Sequence, residues 1–382
     1  MGDASLGRGG QARPGDRERR AGGAWGGGQL QFGVRSSECG VGQLRFPFRI
    51  PHSRFHIPHS TFACPLPLSV VLLLFAGCAY APMRTSTSRG PEPLPAGIAD
   101  YYEYPDHAPE ATVQLVREQH SVRESLVRFP LSAAGFEPTE PMVEFEWFES
   151  KAPGRRAAIL FSPILGGDYP LERGICRYFA SHGFHVALVH RKTLKISPEH
   201  DIAHLELLLR QGVMRIRQIV DWMAAQKGVD PQRIGSFGIS MGGIANVMAA
   251  AVEPRLRVHV VAMAGGSIPD ILLTSKDRLL TKPRARYLAH NHMDLTTLDA
   301  LLRQQVKTDP VRLAPYVDTA RLLMFIALAD RTIGRANAFR LWRALGRPST
   351  VFMPVGHYTA YLSLPYLKYA SLRFFKERLA PD

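Results

Sequence analysis

The most constraining stretch of this chain is Arg233-Ile-Gly-Ser-Phe-Gly-Ile-Ser-Met-Gly-Gly243, followed by the Ala-rich run Ile244–Val252. A short apolar strand enters a turn with Gly238, Ser240 and Gly242 at alternate positions and leaves it as a helix. So tight a turn leaves no room for side chains two residues either side of its apex. Glycines remove that clash, and the Ser240 hydroxyl projects above the end of the strand. Three fixed positions of this kind arise by chance in roughly one chain in ten of such length, so the pentapeptide draws its weight from its surroundings.

Those surroundings are regular from about residue 120 onward. Val143–Phe148 alternates with period two, as a half-exposed early strand does. Ala157–Phe161, His185–Val189, Val258–Met263 and Leu322–Leu328 are continuous apolar runs of the kind that strands buried on both faces require, and Thr350–Met353 is a further short strand. Helical patterns separate them: Leu171–His182 stopped by Gly183, a long amphipathic run over Ile202–Lys227 ending at Gly228, and Ile333–Leu345. This alternation predicts an α/β fold with a mostly parallel central sheet flanked by helices. Asp330 then falls just past the strand ending at Leu328, and His357 follows the strand ending at Met353. Ser240, Asp330 and His357 thus come in the order Ser…Asp…His, each at the C-terminal end of a separate strand, the edge where open α/β sheets bind ligands.

With these residues in place, the chain resembles the α/β-hydrolase superfamily over about residues 120–380. Gly228-Val-Asp-Pro-Gln-Arg-Ile-Gly-Ser-Phe-Gly-Ile-Ser-Met-Gly-Gly243 looks most like the dienelactone-hydrolase and acyl-peptidase-related branches. Two positions depart from that pattern. Dienelactone hydrolases carry Cys where this chain has Ser240, so their reaction is not carried over. The usual His-Gly after the third strand is replaced by Ser162-Pro-Ile-Leu-Gly-Gly167.

The chemistry expected of these residues is that of a serine hydrolase, acting on carboxylic esters through an acyl-enzyme. An alcohol attacks a carbonyl poorly unless a base takes its proton, which assigns His357 as base and Asp330 as the group orienting it. An oxyanion needs fixed donors: the amide of Met241, and one from Ile164 or Leu165 in the loop after Phe161. Alternatives are an acyltransferase on the same fold, which excludes water, and a catalytically silent lipoprotein using the cleft for binding. Residues 267–320, mostly helical in pattern, replace a simple crossover and read as a cap over the site. Its basic start, Lys276, Arg278, Lys282, Arg284 and Arg286, is a solvated face or a contact for anionic headgroups. No CxxC pair or HExxH is present, so neither a metal nor any other cofactor is expected. Gly166-Gly167 before Asp168 reads as a turn, and His190, His200, His204, His290 and His292 as structural or exposed.

The N-terminal part is of another composition. Of 33 glycines, 13 lie in the first 50 residues. Residues 1–77 hold nine Arg, no Lys and four acidic side chains, so they supply +5 of the +14 formal charge. The first 60 residues lack the apolar periodicity that offsets ordering entropy and read as disordered. Leu66–Cys78 is apolar and too short to span a bilayer, and Phe75-Ala-Gly-Cys78 resembles a bacterial lipobox. The reading is a leader over 1–77, lipidation at Cys78, a tether over 78–119 and the hydrolase domain over 120–382. The protein is then expected in a bacterial cell envelope, anchored to a membrane or secreted. Cys39 and Cys64 go with the leader, leaving Cys176 as a buried thiol. No nucleic-acid-binding module accompanies the positive charge, so a small-molecule or lipid acyl ester and the membrane are the expected partners.

Overall fold

The computed structural model describes residues 89–105, 109–133, 135–166, 168–191 and 197–381, all within the second of two units, Leu66–Asp382, into which the chain divides. The leader, Cys39, Cys64 and the expected lipidation site Cys78 lie outside the described residues. Among the described residues no helix is long and apolar enough to cross a membrane.

The strands are β1 (Thr112–Glu118), β2 (Val122–Pro130), β3 (Met142–Ser150), β4 (Arg156–Ser162), β5 (His185–Val189), β6 (Val229–Ile239), β7 (Leu256–Ala262), β8 (Leu322–Ala327) and β9 (Ser349–Met353). Among the described residues they form one sheet in the order β1-β2-β3-β5-β4-β6-β7-β8-β9. From β5 to β9 the neighbours are parallel, whereas β1, β2 and β3 are antiparallel and β3 joins β5 antiparallel. The apolar runs are continuous because helices cover both faces: every residue of β5 and of β8 is buried.

On one face lie α2 (Pro170–Ser181) and α10 (Leu364–Arg378), which press Ile175, Phe179 and Phe375 onto Phe161 and Phe237. The other carries α3 (Ile202–Ala224) and α4 (Met241–Val252). Asp201 starts α3 by accepting the His204 amide at 2.8 Å, and Leu205, Leu209, Val213, Ile216, Val220 and Met223 form its buried stripe. Residues 267–320 fold as α5 (Ile268–Thr274), α6 (Arg278–His290), α7 (Leu295–Gln305), α8 (Pro310–Leu313) and two short 3-10 turns. They pack beside α3, and α9 (Arg335–Ala344) follows β8.

From β4 the chain moves outward to β5, then returns to place β6 on β4's other side. This reversal opens a crevice at the C-terminal ends of β4 and β6, where such sheets bind ligands. The fold thereby puts Ser240, next after β6, beside the loop after β4.

The tether expected over 78–119 does not hold from Arg89 onward, and the folded domain begins there rather than at 120. Arg89 and Thr319 pair through their backbones at 3.1 Å. A short helix, α1 (Ala96–Tyr101), leads to Tyr102, which is 1% exposed and hydrogen-bonds Thr308 at 2.8 Å. The Tyr101 hydroxyl donates to Glu206 at 2.8 Å and that of Tyr104 to Asp221 at 2.7 Å. Three aromatic rings whose hydroxyls each find an inward acceptor fasten this segment to the domain, which a tether does not require. Beyond them β1 pairs with β2 and extends the sheet.

Candidate active site

Ser240 stands between β6 and α4 with φ 56° and ψ −119°, a conformation that L side chains rarely adopt. Neighbours hold it there: its amide donates to Ala262 O in β7 at 2.8 Å, and its carbonyl accepts the Ile244 amide at 3.0 Å. A Cβ on Gly238 would run into the Gly242 carbonyl, and one on Gly242 into the carbonyls of Ser162 and Pro163. The first turn of α4 is thereby pressed against the loop after β4.

Two hydrogen bonds link the three residues singled out by their order. Ser240 Oγ is 3.0 Å from His357 Nε2, and His357 Nδ1 is 2.7 Å from Asp330 Oδ2. An ionised carboxylate only accepts, so Nδ1 carries the proton and Nε2 is left to accept the serine hydroxyl. Asp330 Oδ1 meanwhile accepts the amides of Thr332 at 2.8 Å and Ile333 at 2.9 Å. The side chain is 2% exposed and its carboxylate is held by three donors, so it both caps the following turn and fixes the imidazole.

The expected oxyanion donors divide. Met241 opens α4, where amides point outward from the helix N-terminus. Ile164 is corrected: its amide donates to Glu172 Oε1 at 3.4 Å, which removes it from the donors open to an oxyanion. Glu172 is 1% exposed, and burial pushes its carboxyl up despite that amide. Leu165, next in the loop and partly buried, remains.

Asp277, near the site, escaped the sequence reading. Asp277 caps α6 by accepting the Leu279 amide at 2.9 Å, and it also accepts Thr332 Oγ1 at 2.6 Å and the Tyr358 hydroxyl at 2.7 Å. Burial pushes its carboxyl up, but these hydrogen bonds and His357 nearby leave it below its usual range. The cap is thus fastened to the two loops that carry Asp330 and His357. Asp277 was legible only as an acid within a basic run. Arg284 of that run is not a solvated charge: it donates to the Leu272 carbonyl at 2.7 Å and to that of Leu273, closing the end of α5. Lys276, Arg278, Lys282 and Arg286 are exposed. Cys176 is a buried free thiol, and burial raises it well above its usual pKa. Among the described residues no cluster of His, Cys, Asp or Glu could hold a metal.

Fold and site together define the class of architecture: the chain has an α/β-hydrolase fold. The sequence model of the prolyl oligopeptidase family matches residues 176–357, just under half of the chain, and it spans Ser240, Asp330 and His357. Acetyl xylan esterase 1 of Thermoanaerobacterium sp. JW/SL YS485 has a similar structure, with a TM-score of 0.53 and 18% identity over 74% of this chain and 96% of that one. The acetyl xylan esterase of Paenibacillus sp. R4 superposes with a TM-score of 0.54 and 18% identity over 75% of this chain and 100% of that one. A GTP 3′,8-cyclase of Rhodobacter capsulatus is 26% identical over 140 residues, 36% of this chain and 39% of that protein's length.

Proposed function

We propose that this protein is a serine hydrolase that cleaves carboxylic esters, with Ser240 as nucleophile, His357 as general base and Asp330 as the group that orients the imidazole. The observation that carries the reading is the pair of hydrogen bonds from Ser240 Oγ to His357 Nε2 at 3.0 Å and from His357 Nδ1 to Asp330 at 2.7 Å. As Ser240 Oγ attacks the ester carbonyl, His357 Nε2 takes the hydroxyl proton, and Asp330 stabilises the imidazolium. The tetrahedral oxyanion forms against the Met241 amide, joined by that of Leu165. Collapse breaks the bond to the leaving alcohol, which receives the proton from His357. Water then attacks the acyl-enzyme, with His357 again as base, and frees the acid and Ser240.

The prolyl oligopeptidase match raises peptide bonds as a second substrate class. The esterase names of the two structural neighbours favour esters. Fluorophosphonate labelling with short p-nitrophenyl esters and matching p-nitroanilides decides. Wild type should be labelled and should cleave the esters faster, while Ser240→Ala takes no label and loses on the order of 10^6-fold in kcat. An unlabelled wild type that cleaves neither sinks the reading in favour of a silent binding protein, and faster anilide cleavage makes it a peptidase. An acyltransferase would label but pass the acyl group to an added alcohol in preference to water. We further propose that Cys78 is lipidated and anchors the enzyme at a membrane of the cell envelope. The mass of the mature N-terminus tests this, and an unmodified Cys78 removes it.

A further inference from the structure

Beside Met241 a pocket opens between the C-terminal ends of β4 and β5 and the facing sides of α3 and α4. Its walls are largely apolar, with Val189, Leu208, Ile216, Ala245 and Met248 among them, yet two arginines, Arg191 and Arg215, reach into it. Arg215, whose side chain is 6% exposed, is neutralised by Glu140 at 2.6 Å. Arg191 has no such partner. Its Nη2 donates to the Pro163 carbonyl at 2.6 Å, and no carboxylate among the described residues pairs with it. Glu172 acts on it only from beyond ion-pair contact and is itself engaged by the Ile164 amide.

Three residues that line this pocket each carry a polar atom, Arg191 Nε, Arg215 Nε and Ser162 Oγ, that is buried with no hydrogen-bond partner among the described residues. Two are obligatory donors and the third is able to donate. A buried donor left unmatched loses its hydration without replacement, so folded chains rarely gather several in one place without use. Among the described residues that line the pocket, the charges sum to one unpaired positive unit, from Arg191. Burial lowers its pKa to about 10, which leaves it protonated at neutral pH.

Such a site is completed by an acceptor-rich anion of single charge. A planar carboxylate matches the guanidinium fork, whereas a phosphate monoester would bring nearly two charges to one. Met241 both lines the pocket and supplies the expected oxyanion donor, so the pocket lies next to where the ester carbonyl is expected. We infer that the pocket binds a carboxylate carried by the substrate itself, held by Arg191 with Arg215 and Ser162 as further donors, so that the preferred ester is a half-ester of a dicarboxylic acid. This rests on the serine-hydrolase reading for its catalytic part and on the pocket alone for its binding part.

Two measurements separate the parts. In the first, kcat/KM is compared for mono-p-nitrophenyl glutarate and neutral p-nitrophenyl butyrate. Wild type should favour the charged ester, and Arg191→Gln should lower the charged-to-neutral ratio at least about tenfold, with Arg191→Lys recovering part of it. In the second, Ser240→Ala is titrated with monomethyl glutarate by calorimetry. It should bind, and Ser240→Ala/Arg191→Gln should bind at least about tenfold more weakly. If wild type cleaves the neutral ester but shows no charge preference, or Arg191→Gln leaves the ratio unchanged, the carboxylate site is overturned and the hydrolase stands. If neither ester is cleaved while Ser240→Ala binds the half-ester through Arg191, the hydrolase falls and the carboxylate site stands.

Discussion

Ser240 occupies a backbone conformation that costs on the order of 1–3 kcal/mol, and the glycines around it hold that strain in place. Gly242 does more than relieve the turn, because its bare Cα lies against the carbonyls of Ser162 and Pro163. Gly242→Ala should therefore push the loop after β4 away from the Met241 amide while leaving the Ser240–His357–Asp330 chain assembled. The expected result is a fall in kcat of about 10^2–10^3-fold, the loss typical of one oxyanion donor, with little change in the far-ultraviolet circular dichroism. An unchanged kcat would exclude the loop from oxyanion binding. Ser240, Asp330 and His357 were legible in the sequence because each follows an apolar run that only a buried strand explains. Asp277, Arg191 and Arg215 were not, since their roles depend on what the cap and the helices bring beside them, which leaves no mark on local spacing. Ile164 shows the same limit from the other side. Its position in the loop was readable, but the carboxylate that takes its amide comes from α2, eight residues further on.

At the scale of elements, the parallel core and the antiparallel strand β3 were readable, whereas β1 and β2 were not. The strands at 157–161, 185–189, 258–263 and 322–328 announced themselves because both faces are covered, so almost every position is apolar. β1 lies at the sheet edge with all seven residues exposed, and its sequence carries no comparable signal. The segment from Arg89 was misread for a related reason. Its composition is that of a linker, and three tyrosines convert it into a strap. Glu206, 6% exposed on α3, ties that strap to the end of the cap, accepting Tyr101 at 2.8 Å, the Thr308 hydroxyl at 2.6 Å and the Lys307 amide at 2.8 Å. Tyr102→Ala empties a fully buried ring site and should destabilise the fold by about 3–5 kcal/mol in urea unfolding. Tyr102→Phe, which loses only the bond to Thr308, should cost about 0.5–1.5 kcal/mol. A tether would tolerate both, so a loss below about 1 kcal/mol for the alanine variant would restore the tether reading.

The molecule as a whole joins two kinds of sheet, the antiparallel β1–β3 and the parallel β4–β9, through the single pairing of β3 with β5. At that junction His190, directly after β5, stands between two carboxylates of β3: Nδ1 is 2.8 Å from Glu144 and Nε2 is 2.8 Å from Glu146. Arg173 of α2 also donates to Glu146, at 2.9 and 2.6 Å, so sheet and helix are clasped together there. Only the imidazolium donates from both nitrogens at once. Burial lowers the His190 pKa, but the two carboxylates outweigh it and the net shift is upward. On Glu146 burial acts upward, yet His190 and Arg173 hold the carboxyl down to about 2. A histidine whose folded-state pKa is raised contributes stability in full below its unfolded value of about 6.5, and loses it as pH rises through the folded value. Glu146 works in the opposite sense: its contribution is present above the unfolded value of about 4.3 and disappears as pH falls toward 2. The clasp is therefore strongest between these limits, at mildly acid pH. The buried His185 and His259 are shifted downward by burial, so the wild-type profile alone is a mixture. The difference between wild type and His190→Gln isolates the clasp. Urea unfolding followed from pH 5 to pH 9 should show wild type more stable than the variant at the acid end, with the gap narrowing as pH rises past neutrality. A gap that stays constant with pH would mean that His190 holds the junction as a neutral ring, and the charge of the clasp would then contribute nothing.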